Sequence, residues 1–425
     1  MRSSDGIGST GASPRTSRRG LFAVAGGLAA AVGTGFAARA ADANTAPTTP
    51  ATTVPFRGSH QAGIITPAQD HTYFAAFDLT TGKRDEVQAL LRSWTEAAAR
   101  MTAGETAAPR VQDLEAPGSD SNEALGLPPS RLTLTFGFGA GLFQKDGQDR
   151  YDLASMRPAA LVDLPRFNGD QLAPERTGGD LSVQACADDP LVAFHAVRQL
   201  ARLAYDVAEI RWAQSGFQSR PADGGTPRNL MGFKDGTQTP QDIEKIVWVG
   251  DEAPAWMRGG SYVVVRRIRM ALEHWDRTAV GFQEQTMGRH KISGAPLGLH
   301  DEFAPLGLDR TDKDENPIIP ETAHVRLANA ASNDGAEILR RGYSYNDGVN
   351  FTAERWPPWR QGMEYDAGLF FVAYQRDPRT GFIRIFDKMA KFDMLNQFAT
   401  HTGGGLFACP GGAREGEFIG QRLFV

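Results

Sequence analysis

The sequence predicts an α+β fold of two domains, each an antiparallel sheet with helices on one face. Three observations carry that expectation. Short strand-like runs alternate with longer runs at helical spacing. The second half repeats the grammar of the first, and FAAFDL (74–79) and FFVAYQ (370–375) are alike as half-domain elements. The chain has 425 residues, 41% hydrophobic and 22% charged, an ordinary globular composition with length for two or three units.

The elements follow in order. Thr72–Leu79 reads as a strand. A helix is expected over Lys83–Met101, with Val87, Leu90, Leu91, Trp94, Ala98 and Met101 on one face. Gly104–Gly126 is polar and reads as a surface loop. Arg131–Gly137 alternates as a second strand and Gly179–Cys186 is a third. Asp189-Pro190 has the form of an N-cap followed by proline at the first helical position. That helix is expected to run to about Trp212, with Phe194, Val197, Ala201, Ala204 and Ala208 inward. In the second half Tyr262–Ile268, Ala323–Ala328 and Ala367–Gln375 read as strands, and Phe382–Phe392 as a helix. Proline and glycine cluster in Gln218–Arg228, which sets the expected domains at 58–220 and 221–425.

The N-terminus reads as an address. Twin arginines, Arg18 and Arg19, precede an uncharged run from Leu21 to Ala38 that ends at Ala38-Arg39-Ala40, a small-x-small cleavage pattern. We expect residues 1–40 to be a twin-arginine export signal and 41–57 a linker rich in Thr, Ala and Pro. A periplasmic, cell-envelope or secreted location follows. Residues 1–40 contribute +4 to the formal charge of −5, so the mature chain would carry −9. An acidic body argues against nucleic acid as a partner. With only Cys186 and Cys409, a disulfide-rich scaffold, a four-cysteine zinc site and a cysteine-ligated iron–sulfur cluster are excluded. Glycine is abundant, 47 residues, which predicts many tight turns and shaped loops.

Eight histidines are present and no two stand in an HExxH zinc pattern. There is no G-x-S-x-G elbow, and Gly137-Phe138-Gly139 lacks the rest of a dinucleotide fingerprint. Three segments stand out: RNLMGFKDGTQTP (228–240), PETAHVRLAN (320–329) and ILRRGYSY (338–345). Read alone, Asp235-Gly236-Thr237 is ordinary turn chemistry.

Together the three segments resemble the signature of dye-decolourising (DyP-type) heme peroxidases, and the likeness runs from about His60 to Gly412. The exported deferrochelatase/peroxidase subgroup linked to ferrous iron uptake is most similar. Gly232-Phe233-Lys234-Asp235-Gly236 matches the family's G-x-x-D-G motif, His324 its proximal histidine and Arg340 its distal arginine. The family pattern has Pro where this chain has Ala330 or Ala331. The resemblance implies two ferredoxin-like domains, with heme b held mainly by the C-terminal one.

It also implies roles. His324 would be the axial ligand to the heme iron, its other ring nitrogen donating to Asp387 or Asp393. Asp235 would act as distal acid–base, and Arg340 would stabilise charge as the O–O bond breaks. A guanidinium beside a carboxyl favours its ionised form, so a turnover optimum below neutral pH is expected. Gly236, Thr237, Gln238, Asn329, Ala330 and Ala331 would line the heme, with Arg340. Arg326 and Arg341 are potential propionate partners, equally explained as surface salt bridges. Bulky dyes would send electrons through Tyr343, Tyr345, Trp356 or Trp359, although core packing explains such residues as well.

The leading expectation is a peroxidase that uses hydrogen peroxide to oxidise dyes and other organic reductants. The alternatives are a deferrochelatase that releases iron with the porphyrin intact, a non-catalytic heme carrier, and a chlorite-decomposing relative. Iron-uptake membrane components and a homo-oligomer are the implied protein partners.

Overall fold

The computed structural model describes residues 53–110, 113–350 and 363–425. The expected export signal and most of the linker lie outside the described residues, as do Trp356 and Trp359. Among the described residues no helix is long and apolar enough to cross a membrane.

Among the described residues nine strands form: β1 (His71–Leu79), β2 (Thr133–Phe138), β3 (Leu181–Ala187), β4 (Ala208–Phe217), β5 (Ser261–Met270), β6 (Leu339–Arg340), β7 (Tyr343–Asn350), β8 (Glu364–Gln375) and β9 (Ala399–Cys409). They pair in the order β5-β9-β2-β3-β1-β4-β7-β8-β6, and β5 also pairs with β8. Eight strands therefore close into a ring, with β6 continuing along the edge of β8 that β7 occupies. Within the ring, β4-β1-β3-β2 comes from the first half and β9-β5-β8-β7 from the second. Taking β5, β7, β8 and β9 as first to fourth, the two runs share one order, and every pairing is antiparallel. The seams between them are slight. Each is a single residue pair, Phe138 with Ala408 and Phe217 with Ser344.

Packing explains why seams so narrow hold. The Phe74 ring of β1 lies 5.1 Å from Trp212, 5.5 Å from Phe370 and 5.9 Å from Phe407, so it touches strands of both halves. Val263, Val265 and Val372 fill the same interior. Removing one fully buried phenylalanine from such a cluster costs about 3–5 kcal/mol.

Helices cover the outer faces. Arg84–Thr102 buries the whole predicted stripe, from Val87 to Met101, and carries Asp85 and Glu86 in its first turn and Arg100 in its last, as the helix dipole favours. Pro190–Leu203 starts as expected: the Asp189 carboxylate accepts from the N–H groups of Leu191 and Val192. Phe382–Phe392 has the predicted bounds.

Four expectations need correction. The helix after Asp189 stops at Leu203 rather than near Trp212, because the chain turns through Asp206 (φ 72°) and re-enters the sheet as β4. Phe194 is 39% exposed rather than inward, with its ring only edge-on against Tyr73 of β1 at 5.4 Å. Ala323–Ala328 is not a strand: His324–Ala328 is a short helix. β7 and β9 were absent from the expected elements. β9 reads ATHTGGGLFAC, and its glycines hide its apolar pattern. They are needed there, since Gly404 has φ 144° and a Cβ on it would meet the Val265 carbonyl. Cys186 and Cys409 are both free and buried.

Candidate active site

His324 opens the short helix His324–Ala328. Leu327 anchors that helix in a cluster with Ile385 and Met389 of Phe382–Phe392. The longer helix ends at Asp393, whose Oδ1 accepts from the Leu395 N–H at 2.8 Å and whose Oδ2 lies 2.7 Å from His324 Nδ1. A carboxylate can only accept, so Nδ1 carries the proton and the lone pair of the neutral ring sits on Nε2. Among the described residues Nε2 has no hydrogen-bond partner. Burial alone would push the imidazole pKa down, but the charge and hydrogen bond of Asp393 outweigh it and hold it above its ordinary value. Of the two carboxylates proposed for His324, Asp393 makes the contact. Asp387 is exposed and pairs with Lys391 at 2.7 Å.

The GFKDG segment is a loop pinned at both ends. Asn229 Oδ1 accepts from the N–H groups of Met231 and Phe233. Both of those side chains are buried, clustered with Met270, Trp275, Met287 and Phe398. Gly232 (φ 84°) and Gly236 (φ 120°) take backbone angles that favour glycine, on either side of Phe233-Lys234-Asp235. The Asp235 N–H donates to the Pro227 carbonyl at 2.8 Å. Lys234 pairs with Glu302, and Thr237 Oγ1 donates to the same carboxylate at 3.0 Å. Asp235 is thereby held with its Oδ1 3.0 Å from Arg340 Nη1.

Arg340 comes from the opposite side, on β6, directly across from Ala373 of β8. Both charges of the Asp235–Arg340 pair are roughly one-third exposed, 31% and 39%. Such a pair adds about 1 kcal/mol or less to stability, so its significance is positional. Arg340 and Asp235 lie near enough to His324 for their charges to act on its ring, Arg340 disfavouring and Asp235 favouring its protonated form.

The remaining expected residues divide. Thr237 is half-buried, and Gly236 and Gln238 are exposed at the loop's outer end. Asn329 caps the turn Ala330–Ser332, its Oδ1 accepting from the Ala331 N–H at 2.9 Å. Asn333 donates to the carbonyls of Leu327 and Asn329, tying that turn to the His324 helix. Arg326 spends its guanidinium on the carbonyls of Leu308 and Ile319. Arg341 is buried, donating to the Thr66 carbonyl and to Gln69 Oε1. It is therefore neither a surface salt bridge nor free to hold a propionate. Tyr343 and Tyr345 are core residues, the first 3.5 Å from Cys186 Sγ and the second under the Arg267 guanidinium at 4.2 Å.

Sequence reasoning missed Glu302 and Asn229, which shape the Asp235 loop. Asn229 lies within the 228–240 segment and bonds locally to Met231 and Phe233, whereas Glu302 lies in no motif that marks it. One other cluster of metal-ligating side-chain types occurs among the described residues, Asp120, Glu123 and His195. There His195 and two backbone N–H groups already bond to the Asp120 carboxylate, and Arg198 stands 3.3 Å from Glu123.

The donor set fits heme. One imidazole nitrogen is free and oriented through a buried carboxylate, and a charged polar pair acts on the same ring. Comparison with known proteins agrees. The model of the Dyp-type peroxidase N-terminal domain matches residues 61–218, and that of the C-terminal domain matches 226–414. A dye-decolorizing peroxidase of Thermobifida fusca is 40% identical over 91% of this chain and 86% of its own. A deferrochelatase of Escherichia coli K12 is 36% identical over 87% and 86%. The ferric DtpA structure from Streptomyces lividans superposes with a TM-score of 0.79 at 42% identity, covering 88% of this chain and 97% of that one.

Proposed function

The chain belongs to the DyP-type peroxidase family, and we propose that His324, Asp235 and Arg340 are the residues that carry its reaction. It is a heme peroxidase, which uses hydrogen peroxide to oxidise organic reductants. The observation that carries the residue assignment is the presence of two contacts whose charges act on one imidazole, His324–Asp393 at 2.7 Å and Arg340–Asp235 at 3.0 Å.

Heme, when bound, would supply the redox chemistry towards peroxide and the organic reductant. His324 Nε2 is the nitrogen that would hold its iron. Asp393 fixes the ring's tautomer and orientation and raises its donor strength. Asp235 takes a proton from one peroxide oxygen and returns it to the other. Arg340, always charged, stabilises negative charge on the departing oxygen and keeps the carboxylate aimed. Gly236, Thr237, Gln238, Asn329, Ala330 and Ala331 complete the proposed heme surroundings.

The finer architecture is part of the same reading. The two four-strand runs of identical order support two ferredoxin-like domains, 58–220 and 221–425. His324, Asp393, Asp235 and Arg340 all fall in the second, which supports heme binding mainly there. The twin arginines support export and a periplasmic, cell-envelope or secreted location. Association into a homo-oligomer and contact with iron-uptake components complete the proposal.

A second reading, deferrochelation, draws support from the Escherichia coli relative of that name. Two assays on the purified holoprotein separate the readings. Peroxide-dependent dye oxidation that is lost in Asp235→Asn supports the peroxidase. Porphyrin fluorescence appearing without peroxide supports deferrochelation. A carrier needs no charged distal pair.

A further inference from the structure

A cavity of about 200 Å³ opens where residues 58–60, 256–259 and 410–422 meet. It shares no residue with the site above. β9 lies between them: its eleven residues begin six positions after Asp393 and end at Cys409, roughly 33 Å on.

The cavity is built on close backbone packing. A Cβ on Gly412 would sit 2.5 Å from the carbonyl oxygens of Gly58 and His60, and one on Gly411 would sit 2.8 Å from that of Arg258. The Gly412 N–H donates to the Ser59 carbonyl, and His60 Nδ1 donates to the Gly259 carbonyl at 2.7 Å. The wall is part apolar, with Trp256, Pro410 and Phe418.

Its charge is one-sided. Arg258, Arg414 and Arg422 line it against one acid, Glu417. Among the described residues the Arg258 guanidinium is held only by an exposed partner, Asp251. Arg422 stands 3.6 Å from Glu417. Among the described residues the Arg414 guanidinium makes no hydrogen bond or ion pair, while its backbone N–H is tied to Glu417. Guanidinium forks match a carboxylate in geometry and charge, and an apolar wall favours a carboxylate that carries a small hydrocarbon part. We propose that this cavity binds a small organic carboxylate, gripped by Arg258 and Arg414 with its apolar part against Trp256 and Phe418.

Calorimetric titration of the holoprotein with benzoate, without peroxide, tests the site. Benzoate is expected to bind with the Soret band unchanged, and its neutral isostere benzamide at least tenfold more weakly. The Arg258→Gln/Arg414→Gln variant, altered at two exposed positions, is expected to lose at least tenfold in benzoate affinity while dye turnover stays as in the parent. Arg414→Gln alone, which breaks no described contact, is expected to show part of that loss. Equal binding of benzamide, equal binding of inorganic phosphate, undiminished affinity in the double variant, or a Soret shift on benzoate addition would each overturn the proposal.

Discussion

Oδ2 of Asp393 lies 2.7 Å from Nδ1 of His324, while Oδ1 of the same carboxylate caps the turn that begins at Met394. One buried acid therefore ends a helix, starts the next turn and fixes the orientation of the proposed axial ligand. Asp393→Asn keeps the shape and removes the charge. It should lower heme affinity roughly 10–100-fold, the usual effect of losing such a partner, and raise the iron midpoint potential. Heme titration and redox titration check this, and unchanged values for both would remove Asp393 from the assignment.

The pair Asp235–Arg340 predicts a different phenotype. Asp235→Asn and Arg340→Leu should each retain a Soret band and lose about 10²–10⁴-fold in peroxide turnover, because they remove proton transfer and charge stabilisation rather than the ligand. Stopped-flow mixing with peroxide measures it. A variant at either position that turns over like the parent contradicts the role given to that residue.

Gly236 holds φ at 120°, an angle that L side chains avoid. Gly236→Ala should cost about 1–3 kcal/mol and carry Asp235 away from Arg340. Chemical denaturation reads the first effect and peroxide turnover the second. An alanine variant with parental stability would show that the loop relaxes freely.

His401 gives a pH prediction. Burial, with the Arg266 charge adding to it, pushes its pKa down to about 3. The folded protein therefore keeps the ring neutral where the unfolded chain, titrating near 6.5, takes up a proton. From pH 6.5 towards 3 the unfolded state binds more protons, so this group's contribution to stability declines as pH falls, by about 1.4 kcal/mol per pH unit at most. His401→Gln should flatten the acid side of the melting-temperature profile. Parallel profiles for the two proteins would contradict it.

Much of this was legible in the sequence, and the gaps have physical causes. Strands β1, β2, β3, β5 and β8 and the helices Arg84–Thr102 and Phe382–Phe392 follow from clean periodicity. β4 was hidden because Ala204 and Ala208 continue the helical pattern past its end, and only the turn at Asp206 breaks it. β9 was hidden by three glycines that the sheet itself requires. AHVRLA has an alternating pattern yet folds as a helix, because Leu327 is drawn onto Ile385 and Met389. The residues proposed to do the chemistry lay in motifs, and Asn229 acts within the same segment, whereas Glu302 orients the loop through contacts that no spacing encodes. Closure of both halves into one ring depends on pairs more than a hundred residues apart, which no local pattern announces.

The axial role of His324 is tested most directly by the absorption spectrum of His324→Ala purified from heme-replete cells. Loss of bound heme, with the parental fold retained by circular dichroism, is the predicted result. A normal Soret band at parental heme content would contradict it.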